Sequence, residues 1–345
     1  MCGISGFIAN SSLYEQYIEK TLKLMSSRGP DHKNYIKYQS SNKQIYLLHS
    51  RLNIIDLKER SNQPMKIREF TIIFNGEIYN YLEVRKHLEK KYKFKTQSDT
   101  EVLLYSFIEY GEKFHEIVDG MWSFAIWDEK NKNLILSRDP FGEKPLYYTF
   151  SNNSFFFGSE IKYLFSLSNK KKETNNEKIN NFLFNGYKSI YNDNNTFFKD
   201  IRELQSGTLL KINNENKFKI KKYFSYKANI KKNTNTNLDE IIKKNKKCLI
   251  ENVELRMRAD VPLAFCLSGG IDSGSLISIA SKVLNKKVSC FSIIDHDERY
   301  NEIENIKKVA KDCNADHFLI FLKDKKKNFF EKLDNLIEYH DSPLS

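Results

Sequence analysis

Met1-Cys2-Gly3-Ile4-Ser5-Gly6-Phe7 opens the chain, and the cysteine directly after methionine is its most informative single residue. Cysteine is small, so excision of Met1 is expected and would leave Cys2 with a free α-amino group. Such an amine titrates at about 7.7 to 8.0, so much of it is neutral near physiological pH. It can then take the thiol proton directly or through water, the terminal-amine activation that serves threonine nucleophiles. One residue supplies nucleophile and base, and no histidine partner is needed. The stretch lacks the basic start and long apolar run of a signal peptide.

Three further stretches give the cysteine a context. Asn75-Gly76-Glu77 follows the apolar run Phe70 to Phe74, which predicts an amide side chain and a glycine N–H at a strand end. Two donors converging on one point make an oxyanion hole. Arg51 follows a second apolar run, Ile45 to His49, and offers a planar fork suited to a carboxylate. Asp99 begins a predicted helix, Thr100 to Tyr110, where the helix dipole favours a carboxylate that can meet an ammonium group. Together with Cys2 they describe a pocket for a free amino acid with a side-chain acyl group, glutamine.

The rhythm of the chain divides it in two. Up to about residue 165, short β-like runs such as Leu134 to Leu136 and Phe155 to Phe157 alternate with turn residues. Two helices interrupt them, Tyr81 to Lys91 and the one after Ser98-Asp99-Thr100-Glu101, which has capping-box spacing. This pattern predicts an α+β layered domain over residues 1–212. Residues 213–237 are rich in Lys and Asn and read as a connector. From 238 to 345 the expected order is helix Leu238–Arg256, strand Val261–Leu267, helix Ser275–Leu284, strand Val288–Ile294, helix Asn301–Cys313 and strand His317–Leu322. Buried strands alternating with helices are the βαβ signature of a parallel α/β sheet.

In this second part, Val261 to Leu267 runs straight into Ser268-Gly269-Gly270-Ile271-Asp272-Ser273 and a helix. A strand, a small-residue loop and a helix N-terminus form an anion site of backbone N–H groups. The loop has no Walker A lysine. Ser268 and Ser273 add hydroxyl donors, Gly269 and Gly270 allow close approach, and Asp272 suits a Mg²⁺ ion that offsets phosphate charge.

These motifs, in this order, resemble a known family. Met1-Cys2-Gly3-Ile4, Arg28-Gly29-Pro30-Asp31, His49 to Asp56, Gln63-Pro64-Met65, Asn75-Gly76-Glu77-Ile78-Tyr79-Asn80, Ser98-Asp99 and Arg138-Asp139-Pro140-Phe141-Gly142 are similar to those of class II glutamine amidotransferases. Gly142 to Tyr148 and Gly158-Ser159-Glu160 narrow the resemblance to glutamine-hydrolysing asparagine synthetases, and Ser268 to Ser273 resembles the SGGxDS loop of ATP pyrophosphatases. The resemblance implies an N-terminal nucleophile (Ntn) αββα fold followed by an incomplete α/β ATP-pyrophosphatase domain. Cys2 would be the nucleophile and Asn75 and Gly76 the oxyanion donors, while Arg51, Leu52, Asn53, Ile54, Ile55, Glu77 and Asp99 would hold glutamine. Leu267 and Ile293 match positions bordering the adenosine of ATP, beside Ser268, Gly269, Gly270, Asp272 and Ser273. Ammonia from glutamine would travel inside the protein to an AMP-activated carboxylate, in the namesake case that of aspartate. Ser27 departs from the family, which usually has His before Arg-Gly-Pro-Asp. A later Ser-Gly-Glu-Gly-x-Asp-Glu motif of the family is absent, so these residues are expected to hydrolyse glutamine without completing synthesis.

Composition bounds the alternatives. The 345 residues suffice for about two domains, and 13% aromatics exclude a disordered chain. No apolar run reaches the roughly 18 to 20 residues of a membrane span, so a cytoplasmic protein without membrane contact is expected. The balance of 56 basic against 44 acidic residues gives +12, but the lysines come in short runs mixed with asparagine. They read as solvated surface rather than a nucleic-acid site. The five cysteines show no CxxC pair, and Cys266 and Cys290 lie in apolar runs that predict core positions. An alternative acceptor, a sugar acid or other precursor of surface-polysaccharide synthesis, is suggested by Asp297 to Glu302, which resembles a variant common in uncharacterised relatives. A homodimer is implied by resemblance alone.

Overall fold

A computed structural model describes residues 1–10, 12–191, 193–225, 237–294, 302–321 and 329–343. The chain forms two compact units, residues 1–227 together with 331–345, and residues 228–330.

The first unit is built on two six-stranded antiparallel sheets. Its strands are β1 (Gly3–Ala9), β2 (His32–Ser40), β3 (Lys43–Arg51), β4 (Met65–Ile67), β5 (Phe70–Ile78), β6 (Gly120–Asp128), β7 (Asn133–Arg138), β8 (Tyr147–Ser151), β9 (Ser154–Gly158), β10 (Ile201–Glu203), β11 (Thr208–Asn213) and β12 (Phe218–Lys222). One sheet runs β10-β8-β9-β1-β3-β2 and the other β12-β11-β7-β6-β5-β4. Alternation along the strands separates three apolar layers. Ile4, Ile8, Ile45, Leu47, Ile73, Ala125, Trp127 and Phe157 fill the space between the sheets. Phe7, Tyr46, Leu48 and Phe156 pack outward with the helices α1 (Ile18–Met25) and α4 (Ile161–Ser168). Ile72, Phe74, Ile78 and Phe124 pack outward with α3 (Asp99–Tyr110). The helices α2 (Tyr81–Leu88) and α5 (Asn176–Asn185) complete the described α-helices of this unit before residue 331. The outcome is the expected αββα order.

Strand β12 lies within the stretch read as a connector. Phe218 and Ile220 alternate with lysines, and the strand pairs with β11 as an exposed edge. Its low apolar content and full exposure hide it from periodicity. Residues 226–236 of the predicted connector lie outside the described residues.

The second unit carries a parallel sheet β13-β14-β15, formed by β13 (Ala264–Cys266), β14 (Ser289–Ile294) and β15 (Asp316–Phe321). Helices α6 (Leu238–Arg256), α7 (Ile271–Ser278) and α8 (Ile303–Asp312) belong to it, and a helix α9 (Phe329–His340) follows in sequence. Two expectations change here. The strand predicted over Val261–Leu267 contracts to three residues, and Cys266 is exposed whereas Cys290 is buried. Burial alternates along β14: Cys290, Ser292 and Ile294 face a core with Ile277, Ala280 and Ile306, while Phe291 and Ile293 are exposed. Among the described residues, helices cover one face of this sheet, so a continuous apolar run is compatible with one-sided burial. Among the described residues, no helix is long and apolar enough to cross a membrane.

His49 ties the two sheets of the first unit together. It sits on β3, is fully buried, and its Nε2 lies 3.1 Å from the carbonyl of Phe74 on β5. Burial pushes the imidazole down to about 3, well below its ordinary 6.5. A group depressed by folding contributes stability that is complete above its unfolded pKa and declines as pH falls toward the folded one. Between pH 6.5 and 5 the decline amounts to about 2 kcal/mol. Both tryptophans, Trp122 and Trp127, belong to this unit, so tryptophan fluorescence reports its unfolding. Urea titrations at pH 7 and 5 should show the wild type losing this amount relative to His49→Gln, in which no titrating ring remains.

Candidate active site

The register of β1 against β3 places Gly3 opposite Ser50, so Cys2 arrives beside Arg51 and Leu52. The Leu52 N–H points to the Cys2 Sγ at 3.4 Å, and the thiol lies 3.7 Å from the Leu52 carbonyl. Burial pushes the thiol up, while the Leu52 backbone and the terminal ammonium pull it down. Gly29 makes the approach possible: a Cβ there would fall 2.3 Å from the Ser50 carbonyl carbon. Arg28, next to it, donates from Nε to the Cys2 carbonyl at 2.9 Å. Met1 extends between two cations, with Arg28 Nη2 3.7 Å and Lys144 Nζ 3.3 Å from its sulfur. Burial first, and then these cations, lower the terminal amine below its ordinary pKa.

Strand β5 supplies the donors facing the thiol's cleft. Asn75-Gly76-Glu77 lies within the strand and not at its end, paired with Ser123, Trp122 and Met121 of β6. Strand β4 pairs only with Phe70 to Ile72, so the edge of β5 beyond it is open. On that edge the Phe74 N–H goes to Gln63 Oε1 at 2.6 Å and the Ile78 N–H to Asp99 Oδ2 at 3.0 Å. Alternation puts the Gly76 N–H on the same edge, between these two. A side chain at Gly76 would strike the Met121 carbonyl at 2.1 Å, so this position requires glycine. Asn75 is buried, its Nδ2 3.4 Å from Ser123 Oγ and its Oδ1 without a protein partner among the described residues. Turning the amide over places Oδ1 on the Ser123 hydroxyl and frees Nδ2 as a donor, since the two orientations are isosteric.

Arg51 is used differently from the sequence expectation. Its Nη atoms donate to the carbonyls of Lys58, Ile55 and Asp56 and to Asn62 Oδ1, which fixes the 52–62 loop over the cleft. The open fork predicted for a carboxylate is therefore occupied at both Nη, leaving Nε–H as the donor for a ligand. Asp56 joins this loop to α3, accepting from Gln97 N at 2.7 Å and from Arg60 Nε at 3.1 Å. These bonds hold its carboxyl down at about 2 against the cost of burial. At the start of α3, Ser98 caps Thr100 N as expected. Glu101 does not complete the capping box, because its carboxylate accepts instead from Lys95 N and Thr96 N. Asp99, 5% exposed, is raised to about 7 by burial, with Glu77 adding and the Ile78 N–H subtracting.

One cleft is lined by Met1, Cys2, Arg51, Leu52, Ile54, Ile55, Asn75, Gly76, Glu77 and Asp99. The predicted residues thus come together, except that Asn53 is outside the lining. Its N–H is held by Asp31 Oδ2 at 2.7 Å. Gln63, Phe74, Ser98, Thr100 and Lys144 also line the cleft without having been assigned a role. Lys144 is delivered by a loop organised on the buried Asp139, whose carboxylate accepts from the N–H groups of Phe141, Glu143 and Lys144. Burial lowers its ammonium while Glu77 raises it.

In the second unit, the loop after β13 leads into α7 with Gly270 at the N-cap. Ser268 and Ser273 face each other, Oγ to Oγ at 3.1 Å, and Ser268 N donates to Ser273 Oγ at 3.2 Å. Gly269 has φ +87°, a left-handed conformation that favours glycine, and a Cβ there would meet Glu302 Cβ at 2.9 Å. Leu267 is a core residue, its N–H held by Phe291 O and its carbonyl by Ser292 Oγ, which fixes the strand end from which the loop departs. Ile293 is exposed on the uncovered sheet face. Among the described residues, no cluster of three His, Cys, Asp or Glu could enclose a metal. A lone Asp272 fits only a Mg²⁺ ion carried chiefly by phosphates. Residues 297–301, the variant tied to a sugar-acid acceptor, lie outside the described residues.

Known proteins divide the chain at a similar point, although the second match takes in residues 331–345, which pack with the first unit. Residues 1–224 match a glutamine amidotransferase domain and residues 244–345 an asparagine synthase domain. Asparagine synthetase [glutamine-hydrolyzing] 1 of Bacillus subtilis is 32% identical across all of this chain and 54% of its own length. A putative asparagine synthetase [glutamine-hydrolyzing] 2 of Methanocaldococcus jannaschii is 32% identical over all of this chain and 69% of its own. The chain therefore spans about half to two thirds of the length of these relatives. Among solved structures, glutamine phosphoribosylpyrophosphate amidotransferase from B. subtilis shares the fold, with TM-score 0.50, 14% identity, and coverage of 93% of this chain and 91% of that one. With both domains matched in tandem and relatives aligned along its whole length, the chain belongs to the glutamine-hydrolysing asparagine synthetase family.

Proposed function

We propose that the first unit hydrolyses glutamine at Cys2 and that the second binds ATP to activate a carboxylate for amidation by the released ammonia. The observation that carries the reading is the single cleft lined by Cys2, Asn75, Gly76, Arg51 and Asp99. After Met1 is excised, the Cys2 amine takes the thiol proton and Sγ attacks the glutamine side-chain amide. The oxyanion is met by the Gly76 N–H and the Asn75 amide. The amine returns its proton to the departing ammonia, and water then hydrolyses the thioester to glutamate. Asp99 and Glu77 face the substrate ammonium, and Arg51 Nε its carboxylate.

In the second unit, Ser268, Gly269, Gly270 and Ser273 receive the pyrophosphate of ATP, and Asp272 a Mg²⁺ ion that screens its charge. Aspartate is the acceptor we favour, and the cytoplasm, where glutamine and ATP are available, is the working compartment. A test of the glutaminase half is glutamate release by the purified chain. Glutamate is expected without ATP, and its absence from Met1-free protein would refute the reading. Amide formation by the full-length protein with aspartate against uronic acids identifies the acceptor, and amidation of a uronic acid alone would exclude aspartate.

A further inference from the structure

Helix α9 follows the ATP-loop unit in sequence, yet residues 331–345 are part of the glutaminase unit. The two helix ends that meet there cap one another. Asp341, at the end of α9 with φ +55°, accepts from the Lys162 backbone N–H at the start of α4, 3.3 Å away. Lys162 Nζ in turn donates to the last-turn carbonyls of α9, Glu338 at 3.1 Å and Tyr339 at 2.9 Å, and lies over the Tyr339 ring. Each helix end thus receives the charge its dipole favours.

The interlock continues inward. Lys162 Nζ is 3.1 Å from Glu160 Oε2, and Glu160 Oε1 is 3.0 Å from Arg28 Nη1. Arg28 and Glu160 side chains are 8% and 10% exposed, so the pair is shielded from solvent. Arg28 Nε holds the carbonyl of Cys2. The neighbouring Ser159 reinforces the link, exchanging bonds with Ile4 of β1 through its Oγ and its N–H. A continuous polar chain therefore runs from the C-terminal segment to the backbone of the nucleophile.

We infer that Glu160 and Lys162 are positioning residues that make the alignment of Cys2 depend on docking of residues 338–341 against α4. The inference rests on the glutaminase reading and deepens it: the segment that follows the ATP loop sets glutaminase turnover. Removing the Lys162 ammonium would release Glu160 and α9 together, let Arg28 reorient, and misplace the thiol relative to the oxyanion donors. Misplacement of the nucleophile lowers kcat, while the groups that bind the glutamine ammonium and carboxylate are untouched.

The test uses the 345-residue chain, with kcat and KM for glutamine measured separately. Lys162→Met is expected to lower kcat about tenfold with KM within about twofold of wild type. Lys162→Arg should restore most of the loss. Asp341→Asn, which keeps the shape and removes the charge, should lower kcat in the same direction by a smaller factor. Lys170→Met, which removes an ion pair with Asp200 outside the chain of contacts, is the control and should leave kcat unchanged. Should Lys162→Met fail to fold, Asp341→Asn and Glu160→Gln carry the test. Wild-type kcat in the folded Lys162 and Asp341 variants would overturn the coupling alone. Equal turnover by wild type and Cys2→Ala would instead overturn the glutaminase reading on which it rests.

Discussion

Replacement of Cys2 by alanine is expected to reduce glutamate release at least a thousandfold, with no loss of fold. Removing a nucleophile that acts as one unit with its base leaves only residual binding and oxyanion stabilisation. The fold should survive because the thiol contributes two weak contacts to Leu52 and no core packing. Unchanged tryptophan fluorescence with lost turnover is therefore the expected pair of results. Full activity in the alanine variant would remove Cys2 from the mechanism.

Asp99→Asn is expected to raise KM for glutamine by about a hundredfold, since a charge-assisted bond in a buried site is lost and the amide cannot neutralise an ammonium. kcat should change far less, because the proposed function has Asp99 meet the α-amino end and not the amide being cleaved. The same residue sets a pH dependence. Burial holds the empty site's carboxyl at about 7, so below that pH it carries a proton that bound glutamine must displace. Glutamine KM should be flat above pH 7 and climb toward tenfold per unit beneath it. In Asp99→Asn this dependence should disappear, and a wild-type KM that stays flat down to pH 5 would contradict the assignment.

Much of this site is legible in the sequence because strand register carries it. Cys2 precedes a strand and Arg51 ends one, as short apolar runs indicate, while Asn75 and Gly76 lie inside a strand that continues past its apolar run to Ile78. Lys144 escaped assignment because its arrival depends on Asp139 gathering three N–H groups of its own loop, a local geometry without periodicity. The fate of the Arg51 fork was hidden for the same reason: three of its four partners are backbone carbonyls, which every residue has. Cys266 was misplaced because an apolar strand reads alike whether helices cover one face or two. The contacts of Asp341 with Lys162 join positions 179 residues apart, beyond the reach of any pattern in a single chain.

Met1, held between Arg28 and Lys144, has a practical and a biological consequence. Any residue in front of Cys2 turns its amine into an amide, which cannot accept a proton. A protein made with an amino-terminal tag would therefore fold and remain inert. On the proposed reading, a copy that keeps Met1 would be latent, and removal of that one residue would be an irreversible maturation step.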